Sequence, residues 1–256
     1  MRKLEAALGA RLIERDARGC LPTSEGTAFL AYAESLLRLN ARAVEALRTH
    51  RVAIGASSNI GIYLLQPYIK SYFDAAAGRP PPDIQIHRNP VIADKLDAGE
   101  IDVAAMEWWD NRPGYVAHPW RREELVAIVP PGHPWVALSR LPRAVLRDVP
   151  LLGGEPGTGT GRILARYFGA PPGAMEIGMR LGSTEAVKQW VKAGLGVSLV
   201  LAGTVAEECR EGTLVAIPLE GEPPNKELVV IWRDSLAANN PARVFGEWLA
   251  ARADGY

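Results

Sequence analysis

From Arg51 onward the chain alternates short apolar runs with helical stretches, and that alternation constrains its fold more than any other feature. Val52-Ala53-Ile54-Gly55-Ala56 reads as a buried strand, and Ser57-Ser58-Asn59 offers caps for a helix toward Ala77. Pro67 falls inside that helix and predicts a kink or a late start. Asp83–His87 alternates as a strand, 91–98 is helical up to Gly99, and Ile101–Ala105 and Leu125–Val129 repeat the strand pattern. The chain then runs through Leu151-Leu152-Gly153, with further strands expected at 197–200, 214–217 and 228–232 and helices at about 160–168, 184–193 and 241–252. Strands alternating with helices predict an α/β domain with a largely parallel sheet. The segment Pro130-Pro131-Gly132-His133-Pro134 reads as a crossing between two parts of it.

The first fifty residues are organised differently. Leu4 and Leu8 lie one helical turn apart, and Gly9 suits a left-handed C-terminal cap. Leu12-Ile13 followed by Arg15-Asp16-Ala17-Arg18-Gly19 reads as a strand into a tight turn, the start of a hairpin. Thr23 is a natural N-cap, and Glu25 in the following turn suits the helix dipole. An apolar stripe then recurs at helical spacing through Phe29, Tyr32, Leu36, Leu39 and Leu47.

Together these residues resemble the LysR-type transcriptional regulators. That family's winged helix-turn-helix ends in L-E-x-x-L-G-x-x-L-[FI]-x-R, then a wing, then L-T-x-x-G-x-x-[FL]-L. Leu4, Glu5, Leu8, Gly9, Leu12, Ile13 and Arg15 match the first part, and Thr23, Gly26, Phe29 and Leu30 the second, with Pro22 before Thr23 as the departure. Glu155-Pro156-Gly157 and Ala193-Gly194-Leu195-Gly196-Val197 extend the resemblance across the chain.

The resemblance implies a two-lobed, periplasmic-binding-protein-like (type 2) α/β effector domain, preceded by a partial winged helix-turn-helix and a long linker helix. It places the helix-turn-helix remnant at 1–22 and the linker at 23–50. Lobe I takes 51–129 and 226–256, and lobe II takes 130–225. It implies that the stripe Phe29, Tyr32, Leu36, Leu39 and Leu47 pairs with a second copy, giving a homodimer or homotetramer, or one mixed with full-length relatives. It implies an effector pocket from Ser57, Ser58, Thr158, Thr160, Ser183 and Thr184, with Trp108 as an apolar wall. Only the tail of a recognition helix follows Arg2. DNA contact is therefore expected to reach phosphates through Arg2, Lys3, Arg11 and Arg18 while reading little base sequence, with DNA a partner of a full-length form. A start codon chosen too far downstream and a genuine short variant are both compatible with that opening.

The pocket chemistry has a local rationale. Ser57-Ser58-Asn59, Gly157-Thr158-Gly159-Thr160-Gly161 and Gly182-Ser183-Thr184-Glu185 each set hydroxyls before a helix, where free amides favour an anion. Capping alone accounts for serine and threonine at such places. The glycine-rich turn lacks the lysine and spacing of a phosphate loop. Of Trp108 and Trp109 only one is expected to face a cleft, and Glu107 beside them would repel an anion unless paired with arginine.

Lys and Arg balance Asp and Glu at 29 each, so the chain as a whole is neither a nucleic-acid coat nor a membrane-surface protein. Residues 1–51 carry nine Lys and Arg against six Asp and Glu, an excess compatible with phosphate contact. Cys20 and Cys209, far apart, imply no disulfide framework and fit a reducing cytoplasm. No apolar run reaches the length of a membrane span or a signal peptide. His50, His87, His118 and His133 are scattered, so no metal site is expected, and no nucleophile motif or cofactor signature marks an enzyme. Two other classes stay open at this level: a solute-binding or sensory module without a DNA role, and an α/β enzyme.

Overall fold

The protein is described by a computed structural model covering residues 1–16, 19–49, 51–75, 78, 80–147, 149–153, 163, 166–169 and 177–252. It separates into two compact units, Met1–His50 with Ala98–Glu100, and Arg51–Asp97 with Ile101–Tyr256.

In the first unit, α1 (Arg2–Leu8) ends at Gly9, whose φ of 66° is the left-handed cap the sequence anticipates. Glu5 then organises the turn that follows. Its Oε1 accepts the backbone N–H groups of Leu12 at 2.9 Å and Ile13 at 3.2 Å. These bonds, Leu12's above all, hold its carboxyl below the usual carboxylate range. β1 (Ile13–Asp16) and β2 (Gly19–Pro22) pair as an antiparallel hairpin, with Ile13 opposite Pro22. The helix α2 (Ser24–Thr49) starts where Thr23 Oγ1 accepts the Gly26 N–H at 2.9 Å, while the same hydroxyl donates to Arg11 O at 2.6 Å. A side chain at Gly26 would place its Cβ 1.9 Å from the Leu12 carbonyl oxygen, so only glycine fits there. Tyr32, Leu36, Leu39 and Leu47 are exposed along α2, and Phe29 is half-buried.

The second unit begins with β3 (Ala53–Ser57), a π-helical turn (Ile60–Leu64) and α3 (Gln66–Asp74). Pro67 lies in the first turn of α3, where its missing N–H costs nothing, so the helix starts late. Next come β4 (Asp83–His87), α4 (Asn89–Asp97), β5 (Val103–Met106) and β6 (Tyr115–Val129). The chain continues through α5 (Arg143–Arg147), β7 (Leu151–Gly153), β8 (Ile177–Arg180), α6 (Thr184–Lys192) and β9 (Ser198–Leu201). A 3-10 turn (Ala202–Thr204) leads to α7 (Ala206–Glu211), β10 (Val215–Pro218), β11 (Asn225–Arg233) and α8 (Pro241–Ala250). Among the described residues no helix is long and apolar enough to cross a membrane.

The main sheet runs β10-β6-β11-β5-β3-β4, with β9 also on β6. It is mixed, which corrects the largely parallel sheet expected from the alternation. β3 is parallel to β4 and β5, and β7 to β8, whereas β11, β6, β9 and β10 pair antiparallel. A short strand buried on both faces looks the same in sequence whichever way its neighbour runs.

β6 joins the two lobes. Its first part, Tyr115–Glu124, pairs with β11, and from Leu125 it pairs with β9 and β10. The change of partner falls inside a continuous strand, ahead of the Pro130–Pro134 segment at which the sequence suggests a crossing. Opposite Leu228 and Val229 the register skips Trp120, leaving it as the extra residue of a β-bulge beside Pro119. The bulge turns Trp120 fully into the core, edge-on to Tyr68 at 5.1 Å. One lobe's core gathers Ile54, Tyr68, Tyr72, Trp120, Leu228 and Phe245, and the other's gathers Leu125, Leu141, Leu199 and Ile217. The protein is a two-lobed α/β fold.

Candidate functional site

β3 and β5 run parallel and end side by side, the part of an α/β sheet where ligands commonly bind. Ser57 closes β3, opposite His87 of β4, and is only 1% exposed. Its hydroxyl has no hydrogen-bond partner among the described residues. An orphaned buried hydroxyl costs about 1–3 kcal/mol, which a bound acceptor would recover.

The chain beyond each strand is pinned by two buried asparagines. Asn59 Nδ2 donates to Glu107 Oε1 at 3.0 Å. Asn89, the first residue of α4, accepts the Glu107 N–H on Oδ1 at 2.9 Å and donates from Nδ2 to Trp108 O at 3.0 Å. The other Glu107 oxygen is paired with Lys226 of β11, and both side chains are buried. Burial pulls the Lys226 pKa down, and the Glu107 charge opposes that shift. The carboxylate that would repel an anion is thus neutralised, by a lysine and not the expected arginine.

A second polar cluster connects the π-helical turn with α6. Val187, Lys188 and Val191 form the buried side of α6. Lys188 Nζ contacts Glu208 Oε1 at 2.7 Å and Glu185 Oε2 at 3.0 Å, and donates to Thr204 O at 3.1 Å. The same ammonium lies 4.2 Å from the Tyr63 ring centroid. Burial works against its charge, but the two carboxylates outweigh it and raise its pKa. Tyr63 Oη donates to Glu185 Oε2 at 3.0 Å. Burial pushes the Tyr63 hydroxyl up to about 12, while hydrogen bonds, that from Gln189 foremost, bring the Glu185 carboxyl down to about 2. On β6, buried Glu123 pairs with Arg121 and accepts the Gly203 N–H at 2.9 Å.

The residues singled out from sequence fall in separate places. Ser57 ends β3 and Ser58 follows it, while Trp108 lies two residues past the end of β5. Trp109, by contrast, packs edge-on against Tyr115 at 5.5 Å on the α4 side of the sheet. Ser183 and Thr184 begin α6, where Ser183 Oγ accepts the Ala186 N–H at 3.1 Å and so acts as a cap. Thr158 and Thr160, with the rest of their glycine-rich turn, lie outside the described residues, as does Arg18. Arg2, Lys3 and Arg11 are exposed. Sequence reasoning took Asn59 for a helix cap, whereas its side chain makes no cap bond and donates to Glu107, and it missed Asn89, Lys188 and Lys226. Lys188 carries a readable signal, a charge on the inward phase of an amphipathic helix. Lys226 carries none, since Asn225-Lys226-Glu227 looks like a polar lead-in to a strand. Among the described residues no group of three His, Cys, Asp or Glu side chains is placed to hold a metal ion.

A family model, LysR substrate binding domain, matches residues 45–254. The putative HTH-type transcriptional regulator protein PtxE of Stutzerimonas stutzeri is 46% identical over 160 residues, covering 62% of this chain and 82% of that protein. The HTH-type transcriptional regulator CbbR of Rhizobium meliloti is 29% identical over 265 residues, covering 99% of this chain and 82% of the relative. Among solved structures, an H2O2-bound mutant of OxyR from Corynebacterium glutamicum superposes with a TM-score of 0.68 at 25% identity, covering 98% of this chain and 80% of that one.

Proposed function

The chain belongs to the LysR family of transcriptional regulators, and from that premise we propose that a small anion binds between its two lobes and so changes the spacing of DNA-binding heads. The observation that carries this reading is the Ser57 hydroxyl, buried at the end of β3 with no hydrogen-bond partner among the described residues. A neutral hydroxyl donates to an anion without a fixed charge of its own. The Glu107–Lys226 pair just past the end of the neighbouring strand β5 keeps the local charge balanced. Ser58, Trp108, Thr158, Thr160, Ser183 and Thr184 complete the pocket in this reading, as donors and, for Trp108, an apolar wall.

The same reading takes 1–22 as the end of the DNA-reading head and 23–50 as the pairing helix. Lobe I is 51–129 with 226–256, and lobe II is 130–225, with β6 shared at the join. The exposed stripe of α2 supports a homodimer or larger homo-oligomer. The protein acts in the cytoplasm, as a ligand-controlled switch and not a catalyst. Binding alters regulation only through a difference in affinity between two lobe arrangements.

A thermal-shift screen of small anions, from inorganic sulfate and phosphate to phosphorylated and plain carboxylic acids, tests this reading. The expected result is a concentration-dependent rise in Tm for a subset of these anions, lost in Ser57→Ala. Equal shifts in the parent and the variant would contradict the placement of the site.

A further inference from the structure

Tyr63 belongs to two environments. Its ring packs on the lobe I core, while its hydroxyl donates to Glu185 Oε2, on α6 of the other lobe, at 3.0 Å. Lys188 joins the contact, its ammonium 4.2 Å from the ring centroid. Each remaining Lys188 contact, to Glu185, Glu208 and the Thr204 carbonyl, lies within lobe II. At the next position, Leu64 lies against Gly203: a Cβ on that glycine would come within 2.6 Å of Leu64 Cδ2 and 2.8 Å of Glu123 Oε2. Glu123 sits on β6 just before the strand changes partners, and it holds the Gly203 N–H at 2.9 Å. The segment bearing Tyr63 and Leu64 is a π-helical turn, an irregularity frequent at functional sites.

We propose that Tyr63, Glu185 and Lys188 form a clasp that fixes the separation of the two lobes, with the Leu64–Gly203 contact as its pivot at the crossing strand. A hydroxyl from one lobe meets a carboxylate that is already committed to a buried ammonium of the other. Opening the lobes strips Lys188 of its aromatic cover and Glu185 of a donor at once. The clasp therefore favours one discrete spacing over a continuous range. It acts whichever ligand binds, so it stands or falls separately from the Ser57 site.

The test is an interlobe distance measured by spin-label spectroscopy on the full chain. Labels are placed at Arg88 and Glu207, which are exposed on lobe I and lobe II. Cys20 and Cys209 are replaced by serine, and labelled chains are diluted with unlabelled ones to suppress distances between copies. The parent is expected to give one narrow distribution. Tyr63→Phe, which removes the hydroxyl alone, is expected to broaden it or lengthen its mean by about 2 Å or more, the scale of a domain rearrangement. An unchanged distribution would overturn the clasp and leave the cluster as a brace between α6 and α7. If Tyr63→Phe does not fold by circular dichroism, Glu185→Ala, which removes the acceptor, is judged by the same two outcomes.

Discussion

Lys226 and Glu107 form an ion pair in which both side chains are almost fully enclosed, 2% and 1% exposed. The pair joins β11 to the end of β5, and Asn59 and Asn89 satisfy the polar groups around it. A buried pair of this kind contributes little net stability as a pair, but losing one partner strands a charge.

Lys226→Met is therefore expected to destabilise the protein by about 3–5 kcal/mol, because Glu107 is left buried and unpaired. The double variant Lys226→Met with Glu107→Leu is expected to recover most of that loss. Urea unfolding of both checks this, and a double variant no more stable than the single one would contradict the account.

At Gly203 the constraint is steric. Gly203→Ala places a methyl group against Leu64 and the Glu123 carboxylate, at an expected cost of about 1–3 kcal/mol. Adding Leu64→Ala should relieve part of the clash but create a cavity. Denaturant midpoints should then show coupling between the two sites and not additivity.

Acid stability should follow Glu185. Hydrogen bonds, that from Gln189 foremost, bring its carboxyl down to about 2 in the folded protein against 4.5 ordinarily. A carboxyl of that sort contributes stability above its unfolded pKa and loses it as pH falls through the folded one. Tm is expected to fall between about pH 4.5 and 2, and Glu185→Gln should flatten that part of the profile. A Glu185→Gln profile parallel to the parent's would contradict the assignment.

On α2, Leu36→Glu with Leu47→Glu introduces charges into the exposed stripe. Sedimentation velocity is expected to show a shift to monomer. An unchanged oligomer would place the pairing surface elsewhere.

Much of the fold is legible because its signals are local. Gly9, the hairpin, the Thr23 cap and the late start at Pro67 each follow from a few adjacent residues obeying steric and hydrogen-bonding rules. β6 is not legible over Tyr115–Glu124, where Pro119 and the run Arg121-Arg122-Glu123-Glu124 obscure the strand pattern. That half is a strand because β11, about a hundred positions later, lies beside it. The site divides the same way. Ser57 is marked by its place at the end of an apolar run, whereas Lys226 reaches Glu107 across 119 positions that no local pattern connects.

In the proposed function Ser57 lines the effector pocket, whereas Ser183 serves first as a helix cap. Isothermal titration with the anion that most raises Tm, against the parent, Ser57→Ala and Ser183→Ala, separates the two roles. Saturable binding is expected for the parent, with a loss of about tenfold or more in affinity for Ser57→Ala, the effect of about 1.4 kcal/mol. Ser183→Ala should retain binding within a smaller factor while unfolding at a lower temperature. Undiminished binding by Ser57→Ala would place the effector site elsewhere.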